Sequence, residues 1–232
     1  RDVYKRQVIV MTQTSKFEQN DKFILHKPFI DVEPLSFDLN LLDVDYDWLI
    51  FSSKNAVRYF QPFLSQVKVK NFAAIGAKTA DYCKSLGLDV LFYPSDYSQE
   101  GFLKCFQTSK NSKILIPSSA YARPLLQESL SQQGYQVCKI DLYRPVPHTK
   151  NIEDVKHMIK NNELDVITFA SSSAVRYFFE QSETPQFNQY YVIGQQTLNT
   201  IKQYGYDATI SNIQTLDSLI NKVEESWEND AI

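Results

Sequence analysis

The 232-residue chain is poor in the residues that mark the commonest sites. Its six glycines, at 76, 87, 101, 134, 194 and 205, form no G-x-G-x-x-G, which argues against a nucleotide-dependent oxidoreductase. Three cysteines, Cys83, Cys105 and Cys138, are odd in number and show no C-x-x-C spacing. The three histidines, His26, His148 and His157, are scattered, so neither a zinc pattern nor a nucleophile partner emerges. Such sparse cysteine usage fits a reducing cytoplasm, with all three thiols expected in or near the core. Charge of one sign is also lacking. Twenty-four basic against 27 acidic residues give a net charge of −3, no field for holding nucleic acid or an anionic membrane. No apolar run approaches the roughly 18 residues of a spanning helix, and no charged segment followed by an apolar one opens the chain as a secretory signal would.

What is present is a globular composition, 43% apolar, in a length that suits one large domain or two small ones. Residues 1–7 (RDVYKRQ) stand apart. DVYKRQ is the translation of GAT-GTG-TAT-AAG-AGA-CAG, a transposon end used in DNA library preparation. The segment therefore reads as a sequencing or cloning artefact and is set aside.

The most informative feature is self-similarity. Asp47–Phe60 (DWLIFSSKNAVRYF) and Asp165–Phe178 (DVITFASSSAVRYF) share eight of fourteen positions at an offset of 118. The same offset carries Ile75-Gly76 onto Ile193-Gly194, Thr79 onto Thr197, Lys84 onto Lys202, Gly87 onto Gly205 and Asp89 onto Asp207. In each copy a short apolar run (48–51, 166–169) suits a buried parallel strand and ends in serines. Ser53 and Ser171 can cap helices whose Ala-Val and Phe positions face the sheet. Second strands at 72–75 and 190–193, a glycine turn, and helices at 78–86 and 196–204 follow, with Gly87 and Gly205 at helix C-termini. Residues 113–116 start a further strand, 124–133 a helix and 135–143 another strand. The N-terminal runs 8–11 and 23–32 look like a shortened unit with no helix between its strands.

Strand alternating with helix predicts an α/β fold: two similar parallel-sheet βαβ (flavodoxin-like) domains that arise from an internal repeat. Residues 8–34 with 148–232 form one discontinuous domain, into which 35–147 is inserted. The crossings near 29–35 and 142–148 are proline-bearing and predict a two-stranded hinge linker, and ligands of such folds sit at the carboxyl ends of the strands, here expected towards an interlobe cleft.

The paired F-S-S-K-N-A-V and F-A-S-S-S-A-V segments, the paired Ile-Gly-x-x-Thr turns, I-P-S-S-A-Y-A-R at 116–123 and D-L-Y-R-P at 141–145 together resemble the uroporphyrinogen-III synthase family. The resemblance runs from Val8 to about Glu225. No element is specific alone; order, spacing and duplication carry it. It implies a lyase of tetrapyrrole biosynthesis that closes linear hydroxymethylbilane into uroporphyrinogen III with inversion of ring D. Water leaves the terminal hydroxymethyl group, the resulting azafulvene is attacked by the substituted α-carbon of ring D, and a spiro intermediate fragments and recloses inverted. No cofactor and no metal are implied. The implied partners are the bilane itself and, transiently, hydroxymethylbilane synthase, with no nucleic acid or membrane, and the protein is expected to be a cytoplasmic monomer.

The same resemblance points to Tyr143 as the residue assisting loss of the hydroxyl; the alternative is a tyrosine packing on the hinge. Thr79 and Thr197 match substrate-binding threonines, and Ser52, Ser53 and Ser171 match strand-end hydroxyls, all with helix capping as the plainer reading. Gln196 stands where the family often has a hydroxyl residue. Ser118 and Ser119 end the strand from 113, and Arg123 either clamps a carboxylate or is a solvated helix arginine. Arg58 and Arg176 are read as solvent-exposed. A non-catalytic two-lobed binder of a small polyanion is the competing function, separated from the synthase only by turnover.

Overall fold

Strand residues of this chain alternate between two cores, as a sheet covered on both faces requires. Leu49, Phe51 and Leu115 point to one side, while Ile50, Ile114 and Ile116 point to the other. Ile167, Phe169 and Val10 likewise oppose Val166, Ile9 and Met11. The computed structural model describes residues 6–95 and 98–230. Most of the seven-residue opening segment, residues 1–5, lies outside these; Arg6 pairs with the Asp21 carboxylate at 2.5 Å and lies over the Phe23 ring.

The chain begins with β1 (Ile9–Met11), β2 (Ile24–His26) and β3 (Ile30–Pro34). Next come β4 (Asp45–Phe51), α1 (Lys54–Phe60), β5 (Lys68–Ala74), α2 (Ala77–Ser85), β6 (Val90–Phe92), α3 (Gln99–Cys105), β7 (Lys113–Ser119), α4 (Leu125–Gln132) and β8 (Gln136–Pro147). It closes with α5 (Thr149–Lys160), β9 (Val166–Phe169), α6 (Ser172–Glu180), β10 (Tyr190–Val192), α7 (Gln195–Gln203), β11 (Thr209–Ile210) and α8 (Leu216–Asp230). Contacts divide the chain into two units, one of Arg1–Asp31 with Val146–Ile232 and the other of Val32–Pro145. One sheet has the order β11-β10-β9-β1-β2, with every pairing parallel. The other has the order β3-β8-β7-β4-β5-β6, and its pairings from β8 to β6 are parallel.

The connection from β1 to β2 contains no helix, and composition explains why. Residues 12–23 (TQTSKFEQNDKF) hold one central apolar side chain, Phe17, so no stripe exists to bury; polar contacts shape the loop instead, with the Asp21 carboxylate accepting from the Phe23 N–H at 2.9 Å. Gly87 and Gly205 take φ of 82° and 85° just past α2 and α7, the left-handed turn that a Cβ would strain. The expectation for the cysteines needs one correction. Cys83 is buried and Cys138 half-buried, but Cys105 is exposed at the end of α3, because the core position there is filled by Phe106, stacked on Phe102.

Candidate functional site

Both units place serines and helix starts at the carboxyl ends of their strands. In the Val32–Pro145 unit, Ser53 has extended backbone and its Oγ accepts from the Ala56 N–H at 3.1 Å, capping α1. Tyr143 reaches the same Oγ through an irregularity in β8. Ser118 stands opposite Asp141 and Ser119 opposite Tyr143, so Leu142 is an extra residue at a bulge. A bulge cancels the alternation of faces, and Leu142 and Tyr143 accordingly both join the core built around Phe51 and Val57. Tyr143 is 7% exposed; its hydroxyl shares a hydrogen bond with Ser53 Oγ at 3.2 Å, and its ring lies 5.0 Å from that of Tyr59. Burial raises the pKa of the phenol, with a smaller push from Tyr59, against the opposing effect of Ser53. A protonated hydroxyl at neutral pH, able to donate, is the consequence.

Ser52, Ser118 and Arg123 line one small pocket together with Gln99 and Lys139. Ser118 is buried, whereas the Ser119 hydroxyl is engaged by its own turn, accepting from the Tyr121 N–H at 3.1 Å. Arg123 precedes α4 rather than sitting within it, and its guanidinium donates to the Glu100 carboxylate at 2.8 Å. Lys139 was not anticipated. Its ammonium donates to the Ser119 carbonyl at 3.1 Å and pairs with Asp141.

In the unit of Arg1–Asp31 with Val146–Ile232, Ser171 Oγ accepts from the Ala174 N–H at 3.2 Å and caps α6. An open cavity of about 410 Å³ is lined by Ser171, Arg176, Gly194, Gln196, Thr197 and Gln214, among others. Arg176 is exposed, as expected, yet borders this cavity; Arg58 is exposed as well. Gln214 was not foreseen. A Cβ on Gly194 would stand 2.9 Å from Gln214 Cδ, so glycine at the start of α7 leaves room for that side chain.

Capping, the plainer reading of the two threonines, is overturned. The caps of α2 and α7 are Gly76 and Gly194, which have no side chain to offer, while Thr79 and Thr197 are buried in the first helical turns. Gln196 has an exposed side chain, and its carbonyl accepts from the Thr200 hydroxyl at 3.0 Å. Within one unit the structure thus brings together Ser53 with Tyr143, and Ser52 with Ser118 and Arg123; within the other it brings together Ser171, Gln196 and Thr197. Thr79 and Ser119 stand apart from these groupings. Among the described residues, no three of His, Cys, Asp and Glu gather as a metal site would need, and no helix is long and apolar enough to cross a membrane.

The family model for uroporphyrinogen-III synthase HemD matches residues 14–221. The chain belongs to the uroporphyrinogen-III synthase family. It is 25% identical over 230 residues to the porphyrin biosynthesis protein HemD of Ruminiclostridium josui, an overlap of 92% of this chain and 46% of that protein. With the uroporphyrinogen-III synthase of Synechococcus elongatus it shares 26% identity over 168 residues, 67% of this chain and 64% of that one. The chain thus spans about half the length of the first relative and under two thirds of the second. Among solved structures, uroporphyrinogen-III synthetase from Helicobacter pylori 26695 superposes with a TM-score of 0.65 at 18% identity, over 95% of this chain and 99% of that chain. That likeness shows that the family fold is present: mixed α/β with parallel βαβ units.

Proposed function

We propose that this protein closes hydroxymethylbilane to uroporphyrinogen III, inverting ring D and releasing water, and that Tyr143 assists the departure of the hydroxyl. Family membership across residues 14–221 carries the reading. The site supplies what the chemistry demands. Loss of hydroxide from a hydroxymethyl group needs a proton donor, and a buried phenol held at one end by Ser53 is protonated and restricted in orientation. The proton leaves in the water, so the cation left on the bilane faces the phenolate oxygen, which recovers a proton when the closing macrocycle loses one.

The eight carboxylates of the bilane explain the rest of the polar inventory. A protein of net charge −3 cannot attract such an anion by its overall field, so local donors must hold it. The α6 and α7 N-termini, flanked by Ser171, Gln196 and Thr197, supply N–H groups and the positive end of a helix dipole. Ser52, Ser118 and Arg123 supply hydroxyls and a guanidinium in the other unit. Holding the flexible tetrapyrrole in one pose favours reclosure with inversion over closure to the uninverted isomer I.

The decisive assay incubates enzymatically generated hydroxymethylbilane with the protein, oxidises the porphyrinogens and separates the isomers by chromatography. Isomer III well above the protein-free control is expected. Isomer I alone from folded protein overturns the reading and leaves a polyanion binder.

A further inference from the structure

Lys139 lies on β8 two residues before Asp141, on the sheet face opposite Ile140 and Leu142. Its side chain is 14% exposed, whereas its ionic partner Asp141 is 54% exposed, so the ammonium is walled in and its counter-charge stands at the surface. The ammonium borders two neighbouring cavities. One is the small pocket with Ser52, Ser118 and Arg123; the other, about 280 Å³, is lined by Ala120, Ala122, Pro124, Gln127, Lys139 and Asp141. An ammonium has three donors, and the Ser119 carbonyl and Asp141 use two of them. Arg123 lines the small pocket but not the larger cavity, and it is paired with Glu100, which is itself about half exposed. The small pocket, about 10 Å³, has room for no more than a water, whereas the larger cavity admits a carboxylate, and Lys139 is the cation that lines it, balanced by a carboxylate at the surface.

We propose that Lys139 is a substrate-binding residue, its ammonium receiving a carboxylate of the ligand in the cavity of about 280 Å³ that it lines. The inference rests on the function proposed above and names a binding group that its sequence pattern did not. An incoming carboxylate takes the third donor directly, or takes the place of Asp141, whose exposed half of the pair contributes little to stability. Lys139 is also tied to the carbonyl of Ser119, so the cation is held in place before the ligand arrives.

Uroporphyrin III, a stable compound carrying the same eight carboxylates, is the probe, titrated by its fluorescence. Its binding is measured whether or not the protein turns over, so a failed isomer assay and a failed Lys139 assignment remain separate results. Lys139→Met should weaken binding about tenfold, the worth of one charge-assisted hydrogen bond, and flatten the dependence of affinity on salt. Lys139→Arg should restore most of the affinity. In an active enzyme the Met variant should raise KM with kcat nearly unchanged. Unaltered affinity in a folded Lys139→Met protein overturns the proposal. So does equal weakening by Met and Arg accompanied by a large drop in melting temperature, which marks a structural lysine. If Lys139→Met does not fold, Asp141→Asn decides: freeing the ammonium from its competitor should tighten binding, and unchanged or weaker binding refutes the assignment.

Discussion

At the end of β4 and at the end of β9 the backbone does the same thing with the same residue types. Ser53 and Ser171 each accept from an alanine N–H three residues on, at 3.1 and 3.2 Å, and Ile75 and Ile193 each donate their N–H to a strand-end phenylalanine carbonyl at 3.0 Å. Phe51 meets Phe60, and Phe169 meets Phe178, edge to face at 60° and 61°. The surroundings then diverge. The Val32–Pro145 unit adds a phenol hydrogen-bonded to its capping serine and two cations, whereas the other surrounds its helix starts with hydroxyls and carboxamides and one exposed arginine. Features present twice are what this βαβ geometry needs to form; features present once are the better candidates for chemistry. By that criterion Ser53 and Ser171 are first of all caps, and Tyr143 and Lys139 are the distinguishing groups.

The comparison can be broken at its shared foundation. Phe178 is fully buried and touches the rings of Phe29, Phe169, Phe179 and Tyr190, while Phe60, equally buried, touches those of Phe51 and Phe63. Truncating either to alanine should cost about 3–5 kcal/mol, with Phe178→Ala the more damaging because more ring contacts are lost. Urea midpoints of the two variants check the order; a much milder Phe178→Ala would show that its cluster repacks.

Next in size is Tyr143→Phe. It keeps the ring packing against Tyr59 and removes only the hydroxyl, so kcat should fall on the order of 10²-fold, the low end of what a positioned proton donor supplies, with KM little changed. Wild-type kcat in the variant would reduce Tyr143 to a packing residue. Serine replacement separates the units more finely. Ser53→Ala and Ser171→Ala should each lose about 1 kcal/mol of stability with their caps. Ser53→Ala should in addition lower kcat, since it also releases Tyr143. Equal kinetic effects of the two would contradict a special role for the Ser53–Tyr143 pair.

How much of this was legible beforehand follows from what sets each feature. Strands β4 and β9, their capping serines and the glycines at 87 and 205 are local properties of composition and spacing, and the duplicated segments display them openly. The amphipathic stripe of α8, Leu216, Leu219, Ile220, Val223 and Trp227, was equally readable at helical spacing but falls outside the duplicated pattern and went unread. Tyr143 could be named from its linker motif, yet its partner could not, because the bulge at Leu142 is a matter of register between β7 and β8. Simple alternation would have put Tyr143 on the face of Lys139 and Asp141, away from Ser53. Lys139 was hidden for the same reason: a lysine in a strand reads as solvated until the pairing shows which recess it borders. Cys105 misled in the other direction, since a cysteine next to apolar residues is usually inside.

The finest contrast is between Tyr143 and Tyr190, one buried phenol taken from each unit. The Tyr143 hydroxyl is partnered by Ser53; the Tyr190 hydroxyl, in a side chain 1% exposed, has no hydrogen-bond partner among the described residues. Burial raises the pKa of both, so each favours its protonated form in the folded state. The linkage then has one sign: stability from these groups is fully present below the ordinary tyrosine value of about 10 and is lost as pH rises through the higher folded values. Removing a buried hydroxyl without a partner relieves a desolvation cost, so Tyr190→Phe should leave activity intact and raise stability at neutral pH by up to about 1 kcal/mol. It should also soften the alkaline loss of stability. Tyr143→Phe should soften that loss too, but with a small cost at neutral pH and without the kcat that Tyr190→Phe retains. Denaturant midpoints measured from neutrality to above pH 10 for the wild type and both variants test this; a destabilised Tyr190→Phe would mean that its hydroxyl is satisfied in solution after all.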